Sequence, residues 1–146
     1  MISLPDAEAT EALGARIAPL LRRHDVIALY GDLGAGKTTL VRGILRGLGF
    51  EEEVASPTFP IVQPYEELGV PIWHVDLYRI ENPAELEELA LDEARENAAL
   101  VIEWPERLGT MLWADALRLA LSRTDGGGRA LTAKVPAAWE NRWPPR

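Results

Sequence analysis

The amino-acid sequence predicts an α/β protein in which helices flank a mostly parallel central sheet and a C-terminal antiparallel hairpin completes it. Apolar segments at 26–30 and 99–104 are typical of strands buried on both faces, and segments with helical periodicity lie beside them. Two alternating segments joined by a glycine-rich turn at 124–128 predict the hairpin. The length of 146 residues favours a single domain over 1–146.

The composition excludes several classes of protein. With 47% apolar and 26% charged residues the chain is globular, and without cysteine it can form neither disulfides nor a zinc–thiolate site. No basic segment followed by an apolar core opens the sequence, and no apolar run approaches the ~18 residues of a transmembrane helix. We therefore expect a cytoplasmic protein with no membrane partner.

The net charge of −8 bears on the choice of partner. An acidic surface repels a phosphate backbone unless basic residues cluster, so tight independent binding to RNA or DNA is not expected. Seven acidic residues lie within 81–96, where they form either a solvated helix face or a docking surface for a basic partner.

The first predicted element is an amphipathic helix over 4–23, with Asp6 as its N-cap and apolar residues at helical spacing. Pro19 would kink this helix or shift its end. Because the helix leads into the first buried strand, its start could lie near a bound ligand. Thr10 would then touch a base or sugar, unless the helix only packs on the sheet.

A glycine-rich loop connects the strand at 26–30 to a second predicted helix at 39–48. Residues 31–38, Gly-Asp-Leu-Gly-Ala-Gly-Lys-Thr, match the pattern G-x-x-x-x-G-K-[ST]. Strand, loop and helix in this order are the context that a phosphate-binding loop requires. The sequence therefore predicts a P-loop NTPase fold that binds a nucleotide.

The residue types of this loop suit a polyphosphate and its metal ion. Its glycines permit positive φ angles and a close approach, and the loop amides together with the helix N-terminus attract anions. Lys37 can reach the outer phosphates, and the hydroxyl of Thr38 can coordinate magnesium. The predicted nucleotide contacts are Gly34, Ala35, Gly36, Lys37, Thr38 and Thr39.

The loop after the second helix contains Ser56-Pro57-Thr58, a constrained turn. Thr58 has the placement of a threonine that senses the γ-phosphate through magnesium, although such turns are also common without this role.

Strands are predicted at 60–65 and 70–78, and Asp76 lies near the end of the second. Carboxylates at the C-terminal ends of α/β strands meet ligands, so Asp76 could hold magnesium directly or through water. His74 shares its face of the strand with Asp76 and is expected to be a structural residue.

A helix capped by Asn82 is predicted to run to about Asn97 and to lead into the apolar strand at 99–104. Glu103 near the end of that strand has the placement of a carboxylate that faces magnesium or the attacking water, unless it is an edge residue in solvent. Trp104 is expected to pack over the site or against a partner.

The last predicted strands span 116–123 and 129–135 and form the hairpin. Arg129, at the start of the second, could reach the nucleotide or solvent. We expect the tail at 136–146 to be partly irregular.

Together these motifs resemble the TsaE family, the small ATPases of bacterial tRNA threonylcarbamoyladenosine biosynthesis. The resemblance covers nearly the whole chain and is weakest in the second hairpin strand and the tail. It is carried by Thr10 with Leu13-Gly14, Gly-Asp-Leu-Gly-Ala-Gly-Lys-Thr-Thr at 31–39, Ser-Pro-Thr-Phe at 56–59, His-Val-Asp-Leu-Tyr-Arg at 74–79 and Ile-Glu-Trp-Pro-Glu at 102–106.

The resemblance implies magnesium-dependent ATP hydrolysis and partnership with TsaD and TsaB, which place the threonylcarbamoyl group on the tRNA adenosine beside the anticodon. Contact with tRNA would then be indirect, through that complex. By matching positions, Thr38 and Glu103 would hold magnesium, Asp76 would support the metal and hydrolysis, and Lys37 would bind phosphate. Ser56 and Thr58 would lie in a loop that responds to the nucleotide, and Trp104 would lie beside the site.

Three other functions fit a phosphate-binding loop. A small-molecule kinase, the main alternative, would need an arginine-rich lid, and the arginines between the loop and Glu103 are few. A GTPase would need an Asn-Lys-x-Asp motif, and the chain has no Asn-Lys pair. A nucleotide-gated binding module would bind ATP and its partners without hydrolysis.

Overall fold

The computed structural model describes residues 1–32, 34–52, 54 and 61–145. In this part of the chain seven strands form one sheet: β1 (Ile2–Leu4), β2 (Val26–Tyr30), β3 (Val62–Tyr65), β4 (Ile72–Asp76), β5 (Ala99–Glu103), β6 (Leu117–Arg123) and β7 (Arg129–Lys134). Four helices accompany them: α1 (Ala7–Ile17), α2 (Lys37–Gly47), α3 (Pro83–Glu88) and α4 (Leu91–Arg95). Short 3₁₀ segments span Ala18–Leu20, Pro105–Met111 and Ala137–Trp139.

The strand order is β1-β7-β6-β2-β5-β4-β3. The four central strands, β6, β2, β5 and β4, are parallel. The outer pairs are antiparallel: β3 with β4, β7 with β6 and β1 with β7. The predicted α/β class, parallel centre and C-terminal hairpin are confirmed.

Helices cover the sheet on both faces, which is why β2 and β5 are apolar up to their last residues. Ile27 and Leu29 of β2 belong to a core cluster with α1 and α2, whereas Val26 belongs to a second cluster with α3 and α4. All five residues of β5 are buried. This arrangement leaves the ends of the parallel strands as the place where polar groups can meet.

Two predicted helices differ from the observed ones. The helix predicted at 4–23 is shorter, because residues 2–4 form an edge strand paired with β7 and Pro19 lies in the 3₁₀ segment that follows α1. The helix predicted at 82–97 is divided into α3 and α4, since Ala90 adopts a left-handed conformation with φ 52°. None of the described helices is long and apolar enough to cross a membrane.

Candidate active site

The candidate site lies where the parallel strands β2, β5 and β4 end. Asp76, the last residue of β4, is the register partner of Glu103, the last residue of β5. Glu103 is in turn paired with Leu29, one residue before the end of β2. The parallel register therefore brings the two predicted carboxylates side by side and next to the strand that enters the glycine-rich loop.

The loop has the backbone conformation that its glycines predict. Gly31, Gly34 and Gly36 have φ angles of 144°, 77° and 103°, a region that L side chains rarely adopt. A methyl group added at Gly34 would also collide with the guanidinium of Arg123. Gly36 is the residue that precedes α2, so the amides at the start of this helix face the end of the loop.

Lys37, the first residue of α2, folds back under the loop. Its Nζ donates a hydrogen bond of 2.6 Å to the carbonyl oxygen of Gly31 and lies 3.9 Å from the ring centroid of Trp104. The side chain is buried, and this burial lowers the pKa of Lys37, although the carboxylates of Glu103 and Asp76 act in the opposite direction. An ammonium that has lost water and is held by one carbonyl and one ring is prepared to accept an anion.

Trp104 is held in an unusual backbone conformation. It has φ 58° and ψ 49°, although it is not glycine, and it is followed directly by Pro105. Its ring lies 4.9 Å from the ring of Tyr78, centroid to centroid. The indole, on the loop that follows β5, thus contacts both the Lys37 ammonium and the ring of Tyr78.

Glu103 is almost completely buried, with 3% of its surface exposed. Its Oε2 accepts a hydrogen bond of 2.6 Å from Nε2 of His74, which is fully buried in β4. Such a short contact between a ring N–H and a carboxylate is typical of charge-assisted hydrogen bonds.

Asp76 is more open than Glu103. Its Oδ1 accepts a hydrogen bond of 3.0 Å from the backbone N–H of Tyr78, which fixes the carboxylate at the turn after β4. Partial burial raises the pKa of Asp76, and the neighbouring carboxylate of Glu103 raises it further. The environment of Asp76 therefore favours a nearby cation.

Thr10 and Arg129 meet on the other side of the loop. Together with Asp6, Gly36 and Thr39 they line a cavity of about 160 Å³ between the start of α1 and the start of α2. Thr10 is buried and its hydroxyl donates a long hydrogen bond of 3.3 Å to the carbonyl of Asp6.

The guanidinium of Arg129 holds the glycine-rich loop directly. It donates hydrogen bonds of 3.0 Å to the carbonyls of both Gly34 and Ala35, and it also binds the carbonyls of Gly127 and Gly128. It was predicted to reach the nucleotide or solvent, and its observed contacts anchor the hairpin turn to the loop. Its charge nevertheless lies at the edge of the cavity.

The structure thus brings together Thr10, the loop, Lys37, Asp76, Glu103, Trp104 and Arg129 at one edge of the sheet. Thr38 and Thr39 are the second and third residues of α2 and are half-buried. Ser56 and Thr58 lie outside the described residues.

Two features of the site were not predicted from the sequence. His74 was expected to be a structural residue, and its hydrogen bond with Glu103 was not predicted. Its position two residues before Asp76 on the same strand face was the available signal. Arg123 approaches Gly34 from β6, and no sequence pattern indicated that contact.

The donor set fits a magnesium ion that travels with a nucleotide. Among the described residues there is no group of three or more His, Asp or Glu side chains that could hold a metal ion alone. Magnesium in nucleotide sites is usually held by one or two carboxylates, with phosphates and water completing the octahedron. Asp76, Glu103 and the Thr38 hydroxyl offer this incomplete set beside a glycine cradle.

Comparisons with known proteins agree on one family. The family model "Threonylcarbamoyl adenosine biosynthesis protein TsaE" matches residues 4–131, which include every candidate residue from Thr10 to Arg129. A tRNA threonylcarbamoyladenosine biosynthesis protein TsaE from Streptomyces coelicolor is 45% identical over 117 residues, covering 78% of this chain and 79% of the relative. The TsaE of Bacillus subtilis is 36% identical over 126 residues, covering 86% and 78%.

A solved structure has the same fold. The crystal structure of Bacillus subtilis YdiB superposes with a TM-score of 0.77 at 29% sequence identity. The superposition covers 93% of this chain and 85% of that one.

Proposed function

Because the chain belongs to the TsaE family of threonylcarbamoyladenosine biosynthesis proteins, we propose that it is a magnesium-dependent ATPase that supports TsaD and TsaB in modifying the tRNA adenosine beside the anticodon. The single observation that carries the ATPase proposal is the meeting of the phosphate-binding loop with the register pair Asp76 and Glu103. A fixed cation and two carboxylates at the end of a parallel sheet are the parts that phosphoryl transfer to water requires.

ATP would place its phosphates on the loop amides and on the ammonium of Lys37. The Nζ of Lys37 now binds the carbonyl of Gly31 and would exchange this contact for phosphate oxygens. Magnesium supplies charge neutralisation of the phosphates when it is bound. The Thr38 hydroxyl and Glu103 would hold it, and Asp76 would either complete the ligand set or orient the attacking water.

The cavity between α1 and α2 supports a nucleotide as ligand, since it adjoins the loop at Gly36 and Thr39. Thr10 lies in its wall and Arg129 at its edge. A base or sugar could enter there while the phosphates occupy the loop. The net charge of −8 further supports a protein that acts on a tRNA-binding complex and not on tRNA unaided.

Hydrolysis of ATP by the purified chain tests this proposal, measured with and without magnesium, and with TsaD, TsaB and tRNA added. We expect slow hydrolysis alone and faster hydrolysis with the partners. Lys37→Ala should lower the rate by at least about 100-fold, because the developing charge on the phosphates loses a preorganised cation.

Lys134→Ala is the matched control, since Lys134 is the only other lysine of the chain and is exposed on β7. It should leave the rate unchanged. Equal rates for the native chain and Lys37→Ala would contradict the ATPase proposal. Transfer of labelled phosphate from ATP to a metabolite would instead support a small-molecule kinase.

A further inference from the structure

His74 is the buried histidine whose contact with Glu103 has no place in the sequence-based account of the site. Both side chains are withdrawn from water, with 0% of His74 and 3% of Glu103 exposed. They lie on the adjacent parallel strands β4 and β5, but they are not register partners, because His74 pairs with Val101 and Glu103 with Asp76. The imidazole therefore reaches diagonally towards the end of the sheet to meet the carboxylate at 2.6 Å.

The geometry also indicates which ring nitrogen carries the hydrogen. An unprotonated Nε2 would face the lone pairs of Oε2 at 2.6 Å, which is repulsive, so Nε2–H is the donor. The other nitrogen, Nδ1, is buried and has no hydrogen-bond partner among the described residues. An unprotonated Nδ1 is the arrangement that this environment favours, since a buried N–H without an acceptor is costly.

A purely structural residue explains this arrangement poorly. At a fully buried position in a central strand, an aliphatic side chain would fill the space without a polar atom to leave unsatisfied. His74 leaves one ring nitrogen unsatisfied and forms one hydrogen bond. The partner in that hydrogen bond is the carboxylate of Glu103, beside the phosphate-binding loop. Since the imidazole uses one carboxylate oxygen, a second oxygen remains as a ligand for a cation.

We propose that His74 is a positioning residue, whose Nε2–H holds the Glu103 carboxylate in the orientation that binds magnesium. This inference rests on the proposed function, in which Glu103 is a metal ligand. Groups that bind and orient a metal ligand from behind are usually worth 10- to 100-fold in metal affinity or activity. His74 would act through Glu103 and would not touch the nucleotide.

The hydrogen position can be observed by NMR without any assay of activity. The chain contains only two histidines, His24 and His74, so a His24→Gln variant leaves one imidazole to be seen by ¹⁵N NMR. His24 is exposed and precedes the start of β2, whereas the candidate site lies beyond the end of that strand. We expect the signal of a protonated Nε2 and an unprotonated Nδ1. A protonated Nδ1 with an unprotonated Nε2 would overturn the inference.

Magnesium titrations of variants test the positioning role. His74→Leu removes the donor at similar volume, whereas His74→Gln can place an amide N–H near the original Nε2. Binding of a fluorescent ATP analogue would be measured against magnesium concentration and also in EDTA. We expect His74→Leu to raise the magnesium concentration for half-maximal binding by 10- to 100-fold, with unchanged binding in EDTA.

Two further variants, His74→Gln and the double variant with Glu103→Gln, distinguish a positioning role from a purely structural one. The measured quantity is again the magnesium concentration for half-maximal binding, called the midpoint. The magnesium midpoint of His74→Gln should lie within about threefold of that of the native chain, if the N–H donor is the feature that orients Glu103. Addition of His74→Leu to Glu103→Gln should shift the midpoint no further than Glu103→Gln alone, because two residues that act as one unit are not additive. Equal midpoints for His74→Leu and the native chain would overturn the inference.

The same series separates this inference from the proposed function. If Glu103→Gln shifts the magnesium midpoint and His74→Leu does not, Glu103 is a ligand and only the positioning role fails. If Glu103→Gln itself has no effect, the metal role of Glu103 fails and the positioning role fails with it. Should His74→Leu not fold, His74→Phe takes its place in the titration, because it also lacks an N–H donor and keeps a ring in the buried position.

Discussion

At the scale of single residues, Asp76 shows how a site can cost stability in the absence of its ligand. Its pKa is raised, first by burial and then by the neighbouring carboxylate of Glu103. A raised pKa means that the folded chain holds this proton more tightly than the unfolded chain. The stability that this contributes is complete below the ordinary pKa of 3.8 and is lost as the pH rises through the higher folded value.

Asp76→Asn should therefore stabilise the free chain at neutral pH while it weakens magnesium-dependent hydrolysis. The amide oxygen can keep the hydrogen bond from the backbone N–H of Tyr78, so the turn after β4 is preserved. We expect a gain of up to about 1 kcal/mol, because Asp76 is partly solvated. The unfolding temperatures of the variant and the native chain would be measured without nucleotide at pH 4 and pH 7. Their difference should be larger at pH 7.

Excess magnesium and ATP should reduce this advantage, because a bound cation favours the ionised carboxylate that only the native chain has. An Asp76→Asn chain that is less stable than the native chain at pH 7 without nucleotide would show that burial is not the dominant influence on this carboxylate.

Residues with a local signal were the ones that sequence could predict. The loop glycines follow a fixed pattern, and their positive φ angles agree with it. The carboxylates at the ends of β4 and β5 could be placed because apolar strands have a recognisable end. The bond from His74 to Glu103 joins residues 29 positions apart, so its existence depends on strand register, which a single sequence does not specify.

At the scale of elements, the position of α1 against α2 depends on glycine. A Cβ at Gly43 would collide with the backbone oxygen of Glu11 in α1, and a Cβ at Gly14 would collide with the backbone of Leu40 and Ile44 in α2. The two helices therefore approach closely enough for backbone to meet backbone. This matters for the site because α1 brings Thr10, and α2 brings Lys37, to the same loop.

Gly43→Ala should destabilise the chain by about 1 to 3 kcal/mol, because overpacking forces the helices apart. The sign of this change in the free energy of unfolding is informative. At a helix position with free space around it, Gly→Ala stabilises a protein by up to about 1 kcal/mol. Gly69→Ala is the control for the substitution itself, because Gly69 lies outside the helices and a Cβ there meets nothing within 4 Å. Denaturant unfolding of both variants gives the comparison, and a stabilised Gly43→Ala chain would contradict close helix packing.

Element boundaries were predicted less well than element types, for reasons visible in particular residues. The edge strand at residues 2–4 has only three residues, too few for an alternating pattern, and it forms through its partner β7. The break at Ala90 occurs at a residue with high helix propensity, so no local signal marks it. The first boundary is therefore set by a tertiary contact.

At the scale of the whole molecule, the segment after the hairpin packs into the core and binds the residue that precedes β2. Trp139 is fully buried in the core cluster that contains α1 and α2. The guanidinium of Arg142 lies 3.9 Å from the Trp139 ring and forms two hydrogen bonds, of 2.7 and 3.0 Å, with the carboxylate of Asp25, which precedes β2. The tail was expected to be partly irregular, and its short 3₁₀ segment carries a core residue.

Trp139 and Arg142 lie beyond residue 131, where the match to the family model ends. We therefore expect them to contribute to the stability of this chain and not to its chemistry. Trp139→Ala should lower the free energy of unfolding by about 3 to 5 kcal/mol, the usual result of removing a buried aromatic side chain. Trp139→Phe should lower the free energy of unfolding by less, because the phenylalanine ring fills part of the same space.

The distinction between scaffold and site can be measured in one experiment. Under the proposed function magnesium and ATP would bind only the folded chain, so at 100 times the dissociation constant they should add about 2.7 kcal/mol of stability to any variant with an intact site. Trp139→Ala should gain this full increment from its lower starting point, because Trp139 supports the core and is not among the candidate site residues. Lys37→Ala should begin with stability close to native and gain little. If Trp139→Ala also failed to gain the increment, the tail would have to be counted as part of the nucleotide site.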